Sequence, residues 1–418
     1  MLTYSDVFVP GGFPEYTYNP RASLMLEERL RDAIDHLPKL TVVTGHTKSG
    51  KTVLVRKILP REDSIWIDGG SISEENDFWA AIIAQLELFQ TTMTSSIDET
   101  SKSAGAEIGA EGNILVAKAH GKVTGSFTKK MGSSIVSSRS LPSKIAALNG
   151  LRESKLPLVV DDFHYIPRAI QGVLVKALKP LIFDGHSIVT IAIPHRRYDS
   201  VKVEREMTGR ISPILIPVWT EDELKYIPKA GFRLLNHSLA PAIVSRISAE
   251  AIGSPHLMQD FCRSICRAKS IIYVGSKKSI SLSDKKLEGI LREVAESIGK
   301  PIFDKLARGP RQRTDRLQRT LKNGKQVDIY QLVLYALAHI RPDLITLEYE
   351  QLRTSIREVS QDAIPQLHEV ARVLKHMATI ASSDQSSTPV IDFEESDKKL
   401  HITDPFFAFY LRWGELSS

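Results

Sequence analysis

Eight consecutive residues combine glycine, hydroxyl and lysine side chains at a spacing that suits phosphate chemistry. They follow the pattern G-x-x-x-x-G-K-[ST] and are Gly45, His46, Thr47, Lys48, Ser49, Gly50, Lys51 and Thr52. Glycine lets the backbone approach an anion, and the amides of such a loop point donors at phosphate oxygens. We expect Lys51 to contact the β- and γ-phosphates and the Thr52 hydroxyl to bind Mg²⁺. The stretch therefore predicts a nucleoside triphosphate site, with ATP and Mg²⁺ as its ligands.

Two adjacent aspartates close a second apolar run, "KLPLVVDD". A Mg²⁺ ion beside bound phosphates needs a carboxylate at the end of a neighbouring strand, and Asp161 fits that place. We expect Asp162 to orient or activate the attacking water. Because aspartate is one methylene shorter than the glutamate usual there in fast hydrolases, we expect slow turnover or a nucleotide switch. The alternative is that the two acids only cap a strand.

Strands and helices alternate around these two motifs. Strands are predicted at 40–44, in "SIWIDGG" ending near Asp68, at 158–160 and in "SIVTIAIP", and helices lie between them. This alternation predicts a parallel sheet covered on both faces. Residues 91–140 hold 10 Ser, 6 Thr and 6 Gly, which predicts an insertion, either a hairpin with flexible tethers or a disordered segment.

The pattern divides the chain into four parts. We expect an N-terminal arm and helix at 1–37, a nucleotide-binding core at 38–219 and an all-helical lid at 220–300. The last part, 301–418, is expected to hold a basic linker and three helices followed by two short strands, the shape of a winged helix.

Composition limits the classes of protein. With 418 residues, 42% hydrophobic and 25% charged, the chain resembles an ordinary globular protein of several domains. No apolar run approaches the length of a membrane span, and the start lacks a signal peptide, so we expect no membrane partner and a cytoplasmic protein. Cys262 and Cys266 lie four residues apart without further metal ligands nearby, and are expected to be buried thiols.

At this point the chain resembles a known group, the AAA+ and STAND-type P-loop ATPases. Gly45 to Thr52 is similar to a Walker A motif, and Leu158 to Asp162 to a Walker B motif. "GRISPILIPVWTEDEL" resembles the strand after the arginine-finger region of AAA+ ATPases, and "GSPHLMQDFC" the Gly-x-Pro segment of STAND ATPases. "LHITDPFFAFYLRW" resembles the winged-helix end of prokaryotic relatives of origin-recognition ATPases. The resemblance implies an α/β P-loop NTPase core of the ASCE division, a helical lid and a C-terminal winged helix.

The resemblance also implies that subunits meet across the nucleotide in a homo-oligomer. An arginine of one subunit would then contact the γ-phosphate bound by another, with Arg210 as first candidate and Arg205 as second. The sensor at the end of the fourth strand could be Thr190, His195 or Arg196, of which the last two are preferred.

Two further segments are implicated in nucleotide contacts. His256 follows Gly-Ser-Pro where AAA+ proteins often carry an arginine, so a STAND-like lid acting through Pro255 and His256 is expected. In the arm, Tyr16 and Tyr18 could touch adenine or could serve only in packing.

The net charge is +6, and much of it lies in residues 300–325, with nine Lys or Arg and two Asp. This block could hold a nucleic-acid backbone or could be a solvated linker. The predicted recognition helix, with Arg372 and Lys375, offers few base-reading side chains, so a protein partner is at least as well supported.

Three functions remain from the sequence. The first is a regulatory ATPase that controls a partner protein, an analogy that extends to antiphage defence. The second is a DNA-binding AAA+ ATPase of the initiator or transposition-regulator type. The third is a scaffold that ATP stabilises without being hydrolysed.

Overall fold

A parallel five-stranded sheet forms the centre of the first half of the protein. The computed structural model describes residues 1–36, 38–88, 142–193, 209–310, 317–344, 346–382, 389–395 and 397–415. The predicted insert 91–140 lies outside the described residues, and so do His195, Arg196 and Arg205. The strands are β1 (Leu40–Gly45), β2 (Ile65–Asp68), β3 (Leu158–Asp161), β4 (Ile188–Ala192) and β5 (Ile211–Ile216).

The strand order is β2-β3-β4-β1-β5, and every neighbouring pair is parallel. Every residue of β1 is buried, as expected for a central strand covered on both faces. The covering helices are α2 (Leu26–Asp35), α3 (Lys51–Ile58), α4 (Glu75–Gln85), α5 (Ser143–Ser154) and α6 (Arg168–Phe183). Helices α2 and α3 pack on one face of the sheet and α4, α5 and α6 on the other. The predicted α/β core is thereby confirmed.

A helical lid follows the sheet. Its helices are α7 (Glu221–Leu224), α8 (Tyr226–Leu234), α9 (Pro241–Glu250), α10 (Pro255–Ala268) and α11 (Asp284–Arg308). Two three-residue strands, β6 (His237–Leu239) and β7 (Lys278–Ile280), pair in parallel within it, although the sequence predicted helices alone. The arm begins with the short helix α1 (Tyr4–Val7), and Phe8 beside it packs on Phe232 of the lid, with ring centroids 5.1 Å apart.

The C-terminal domain contains four helices and two small antiparallel sheets in its described part. Its elements are β8 (Arg319–Thr320), β9 (Gln326–Val327), α12 (Ile329–Ile340), β10 (Thr346–Glu348), α13 (Tyr349–Val359), α14 (Leu367–Ser382), β11 (Ile391–Glu394), β12 (Lys399–Ile402) and α15 (Pro405–Trp413). Strand β12 lies between β10 and β11. Lid and C-terminal domain share one continuous hydrophobic core, which includes Val7 and Phe8 of the arm.

The helix α11 runs through residue 300, where the sequence predicted a domain boundary. Pro301 lies inside this helix. The proline removes one backbone donor, but the packing of the helix keeps it continuous through this residue. Phe303 and Leu306, beyond that boundary, are buried in the shared core. Within the described ranges, no helix combines the length and apolarity needed to cross a bilayer.

Candidate nucleotide site

A cavity of about 670 Å³ lies at the carboxyl end of β1, which is a volume suited to a small organic ligand. Its lining comes from four parts of the chain: the arm, the sheet core with the loop after β1, the lid and the C-terminal domain. The loop contributes Thr47 to Thr52 directly. The predicted phosphate-binding loop therefore lies at the wall of the cavity.

The loop between β1 and α3 has the backbone that close contact with an anion requires. Gly50 has φ +90°, in the left-handed region that favours glycine, and α3 begins at the next residue. Thr47 Oγ1 and Ser49 Oγ are buried and have no hydrogen-bond partner among the described residues. Buried hydroxyls without partners at a helix N-terminus fit an anionic ligand that would accept from them.

Lys51 is the buried cation of the site, with 8% of its surface exposed. Its Nζ donates to the carbonyl oxygens of Gly45 and His46, both at 2.9 Å. Burial lowers the pKa of Lys51 to about 8, while the charges of Asp162 and Asp161 act in the opposite direction. Phosphate oxygens at this place would accept from the same ammonium group and favour its charged form.

Thr52 and Asp161 form the predicted metal-binding pair. The Thr52 hydroxyl donates to Asp161 Oδ1 at 3.2 Å. One hydroxyl and one carboxylate therefore lie together where the loop enters α3. No group of three or more His, Cys, Asp or Glu that could hold a metal occurs in the part of the chain that the structure describes. The Thr52 hydroxyl and the Asp161 carboxylate fit Mg²⁺, which proteins often bind through one or two carboxylates, with phosphates and water completing the octahedron.

Asp162 lies beside Asp161 in a strained backbone conformation, with φ 48°. Its amide donates to Asp161 Oδ1 at 3.0 Å. Burial, together with the negative charge of Asp161, raises the pKa of Asp162 to about 6. A carboxyl group whose pKa lies near neutrality can take a proton from water, so the chemistry suits the general base that the sequence predicts.

The arm closes the side of the cavity. Tyr18 lines it and donates its hydroxyl to Glu27 Oε1 at 2.9 Å, whereas Tyr16 is exposed and does not line it. Arg21 forms a two-pronged ion pair with Glu223 at 2.9 Å for each contact and also donates to the carbonyl oxygens of Pro217 and Val218. This interaction, which the sequence did not indicate, ties the arm to the start of the lid.

The lid contributes Pro255 and His256, both in the cavity wall. The preceding Gly253 has φ +64°, and a side chain there would collide with Val218. Burial lowers the pKa of His256 to about 4, and the charge of Lys48 contributes. His256 is therefore neutral near pH 7 and cannot replace the cationic arginine of an AAA+ lid.

The C-terminal domain reaches the cavity through Phe406 and Asp404, neither of which the sequence singled out. The Phe406 ring meets the His256 ring edge-on at 4.8 Å. Lys48 Nζ lies 5.2 Å from the centroid of the Phe406 ring. Asp404 is buried, caps α15 by accepting from the Phe407 amide at 2.9 Å, and has a pKa raised by burial.

The remaining predicted residues lie away from the cavity or outside the described ranges. Thr190 is buried within β4, where its Oγ1 is 3.5 Å from the carbonyl oxygen of Thr41. Arg210 precedes β5, and its carbonyl accepts from the Leu40 amide at the amino end of β1, the edge opposite the loop. The exposed Arg210 guanidinium lies 5.4 Å from the Phe183 ring centroid, so Arg210 lies away from the phosphate loop of its own chain.

Three solved structures are similar to this chain. The Walker-type ATPase of Pyrococcus abyssi superposes with a TM-score of 0.51 at 16% identity, over 92% of this chain and 94% of that chain. The ORC2 protein of Aeropyrum pernix gives 0.48 at 14% identity, over 97% and 95% of the two chains. The Aeropyrum pernix ORC1 protein in complex with DNA gives 0.45 at 12% identity, over 98% and 95%.

The likeness to the Pyrococcus abyssi protein confirms the predicted fold, an α/β P-loop NTPase fold with a C-terminal domain. At 16% identity this likeness concerns the fold alone. No protein-family model and no curated protein sequence matches the chain.

Proposed function

We propose that the protein binds ATP with Mg²⁺, hydrolyses it slowly, and uses the bound nucleotide as a switch that controls a partner protein. One observation carries this proposal: Lys51, Thr52 and Asp161 converge at the mouth of a glycine-rich loop that opens into a cavity of ligand size. Lys51 would hold the phosphates, and Thr52 with Asp161 would hold Mg²⁺. The ion would neutralise phosphate charge as the terminal phosphoryl group leaves.

Slow turnover is supported by the groups around the phosphates. Asp162 would accept a proton from the attacking water, but its short side chain reaches less far than a glutamate. His256 is neutral near pH 7, so the lid offers no fixed positive charge at that place. Arg210 would supply such a charge from a neighbouring subunit, which would make hydrolysis depend on assembly.

The switch is supported by the four-part wall of the cavity. A nucleotide there would touch the arm, the loop, the lid and the C-terminal domain together. A ligand that binds one arrangement of these parts more tightly than another shifts the population toward the arrangement that it binds. We propose that the C-terminal domain is a winged helix. This is supported by the order of its elements, α12, β10, α13, α14, β11 and β12, and by the single sheet that the three strands form.

A DNA-binding ATPase of the initiator type remains the second candidate, supported by the basic residues of 300–325. Several of these and of the predicted recognition helix are engaged within the protein. Lys300 pairs with Glu296, Lys375 pairs with Glu395, and Arg319 is only 8% exposed. A duplex-binding titration across salt concentration separates the two candidates.

Single-turnover hydrolysis with purified protein tests the proposal. We expect Mg²⁺-dependent release of phosphate by the wild type, and loss of ATP binding in Lys51→Ala. Lys176→Ala, which removes an exposed lysine of α6, is the matched control. ATP binding without any turnover would support a scaffold, and equal binding by Lys51→Ala would contradict the site.

Mass photometry without nucleotide, with ADP and with an ATP analogue tests the assembly. Growth into a defined oligomer with the analogue alone supports Arg210 as the arginine that acts across subunits. A monomer in all three conditions would contradict that role. The role in antiphage defence and the cytoplasmic location stay predictions from the sequence.

A further inference from the structure

Gly69 lies at the carboxyl end of β2, next to the aspartates that close β3. Strands β2 and β3 are parallel, and Asp68 pairs with Asp161 at their last position. The chain leaves the sheet at Gly69 in one strand and at Asp162 in the other, so these two residues meet at the same edge. Gly69 is buried and begins a single 3₁₀ turn, Gly69–Ser71.

The backbone of Gly69 packs against the backbone of Asp162 and leaves no room for a side chain between them. A Cβ atom on Gly69 would lie 2.5 Å from the carbonyl oxygen of Asp162 and 2.9 Å from its carbonyl carbon. Both atoms belong to the main chain, so no rotation of a side chain can relieve such a contact. Any larger residue at this position must therefore displace one of the two backbone segments.

The backbone of Asp162 is also held by hydrogen bonds. Its carbonyl oxygen accepts from the Tyr165 amide at 2.9 Å, and its amide donates to Asp161 Oδ1 at 3.0 Å. Because residues with a side chain rarely adopt its φ of 48°, the surrounding contacts must maintain that conformation. The backbone conformation in turn limits the directions in which the Asp162 carboxyl group can point.

The turn that carries Gly69 is tied to the end of β2. Asp68 Oδ1 accepts from the Gly70 amide at 2.9 Å, and the Ser71 hydroxyl donates to the Asp68 carbonyl oxygen at 2.7 Å. Two hydrogen-bonded segments of main chain therefore meet at Gly69 and Asp162. The missing side chain of Gly69 sets how closely they approach.

We propose that Gly69 is a positioning residue for hydrolysis: it lets the turn after β2 hold the Asp162 backbone so that the carboxyl group reaches the attacking water. In this role Gly69 touches no reacting atom and acts only through Asp162. A misplacement of about 1 Å in a catalytic group can cost on the order of 100-fold in rate. This inference rests on the proposed function, in which Asp162 accepts the proton, and adds the residue that places it.

ATP binding and single-turnover hydrolysis by Gly69→Ala test the inference. We expect turnover to fall about 10- to 100-fold while the Kd for ATP stays within about twofold, because the phosphate loop is unchanged. Gly70→Ala is the matched control, since neither glycine has a left-handed φ. A Cβ atom on Gly70 would meet Asp68 Oδ1 at 3.3 Å and the Tyr165 ring at 3.8 Å, and no atom of Asp162. The control should keep the wild-type turnover.

A double variant separates positioning from general damage to the fold. If Gly69 acts through Asp162, Gly69→Ala should cause little further loss of turnover in a chain that already carries Asp162→Asn. General damage would lower turnover by the same factor in both backgrounds. Losses that multiply in this way would overturn the positioning role, and so would wild-type turnover in Gly69→Ala.

A second pair of variants covers the case in which Gly69→Ala does not fold. Asp68→Ala removes the acceptor that holds the Gly70 amide without adding an atom, whereas Asp68→Asn keeps an acceptor and removes the same charge. We expect slower turnover in Asp68→Ala than in Asp68→Asn, and equal rates would overturn the inference. Failure of the wild type to bind or hydrolyse ATP would instead overturn the proposed function, so the two failures are distinguishable.

Discussion

Lys48 of the phosphate loop and Phe406 of the C-terminal domain face each other across the cavity, with Nζ 5.2 Å from the ring centroid. This is the geometry of a cation–π contact, which contributes about 0.5–2 kcal/mol depending on exposure. Asp404 and Lys48 also attract each other electrostatically. The loop that would bind phosphate is thereby in direct contact with the domain proposed to meet the partner.

The first prediction concerns that contact. Lys48→Met and Phe406→Leu should each lower the free energy of unfolding, and the double variant should lose less than the sum of the two. We expect a coupling of about 0.5–1 kcal/mol, measured by urea unfolding of the nucleotide-free protein. Strictly additive losses would show that the two side chains do not interact.

The second prediction concerns hydrolysis and pH. Because a general base must be unprotonated, and burial raises the pKa of Asp162 to about 6, kcat/KM should rise from pH 5 and level off near pH 7. Asp162→Asn should lose at least about 100-fold in turnover while it still binds ATP, and Asp162→Glu should keep the pH dependence. A flat profile for the wild type would exclude Asp162 as the base.

The third prediction concerns stability without nucleotide. Because the pKa of Asp162 is raised in the folded protein, folding favours the protonated carboxyl group. Its favourable contribution to the free energy of unfolding is therefore lost as the pH rises from about 4 to about 6. Asp162→Asn should therefore stabilise the protein by about 1–3 kcal/mol at pH 7.5, and the gain should vanish below about pH 4. Asparagine tolerates the left-handed backbone found there. Denaturant unfolding at several pH values measures the difference, and a gain that is constant with pH would contradict the assignment.

The fourth prediction concerns the arm. Arg21→Met should lower the free energy of unfolding by about 3 kcal/mol, because it removes the cation that pairs with Glu223 and the donor to two carbonyl oxygens. It should also weaken nucleotide binding, since the arm lines the cavity. Arg29→Met, which alters an exposed arginine of α2, is the control for the loss of charge. Equal effects of the two substitutions would show that the buried ion pair does not hold the arm.

The sequence predicted the parts of the protein that depend on neighbours along the chain. The loop at Lys51, the strand before Asp161 and the alternation of strands and helices are local patterns, because period and turn chemistry act over a few residues. The contact between Arg21 and Glu223 joins residues 202 positions apart, and no local pattern marks it. Lys48 and Phe406 are still further apart in the chain. The three-residue strands β6 and β7 are too short to show a period of two.

Gln259 illustrates the same limit at the site. In the sequence it is one polar residue on an amphipathic helix, where an exposed position would be the ordinary expectation. Only the packing of the arm against α10 buries it and gives it Thr17 as a partner. Tertiary contacts thus decide which polar residues of the lid belong to the cavity.

The cavity wall draws on residues from the arm at one end of the numbering to Phe406 at the other. During synthesis, a growing chain exposes the complete phosphate loop long before the last wall of the cavity has left the ribosome. A nascent or truncated chain would therefore lack the enclosed compartment in which water can be controlled around a bound triphosphate. The order of translation itself thereby postpones the assembly of a competent site until Phe406 has been made.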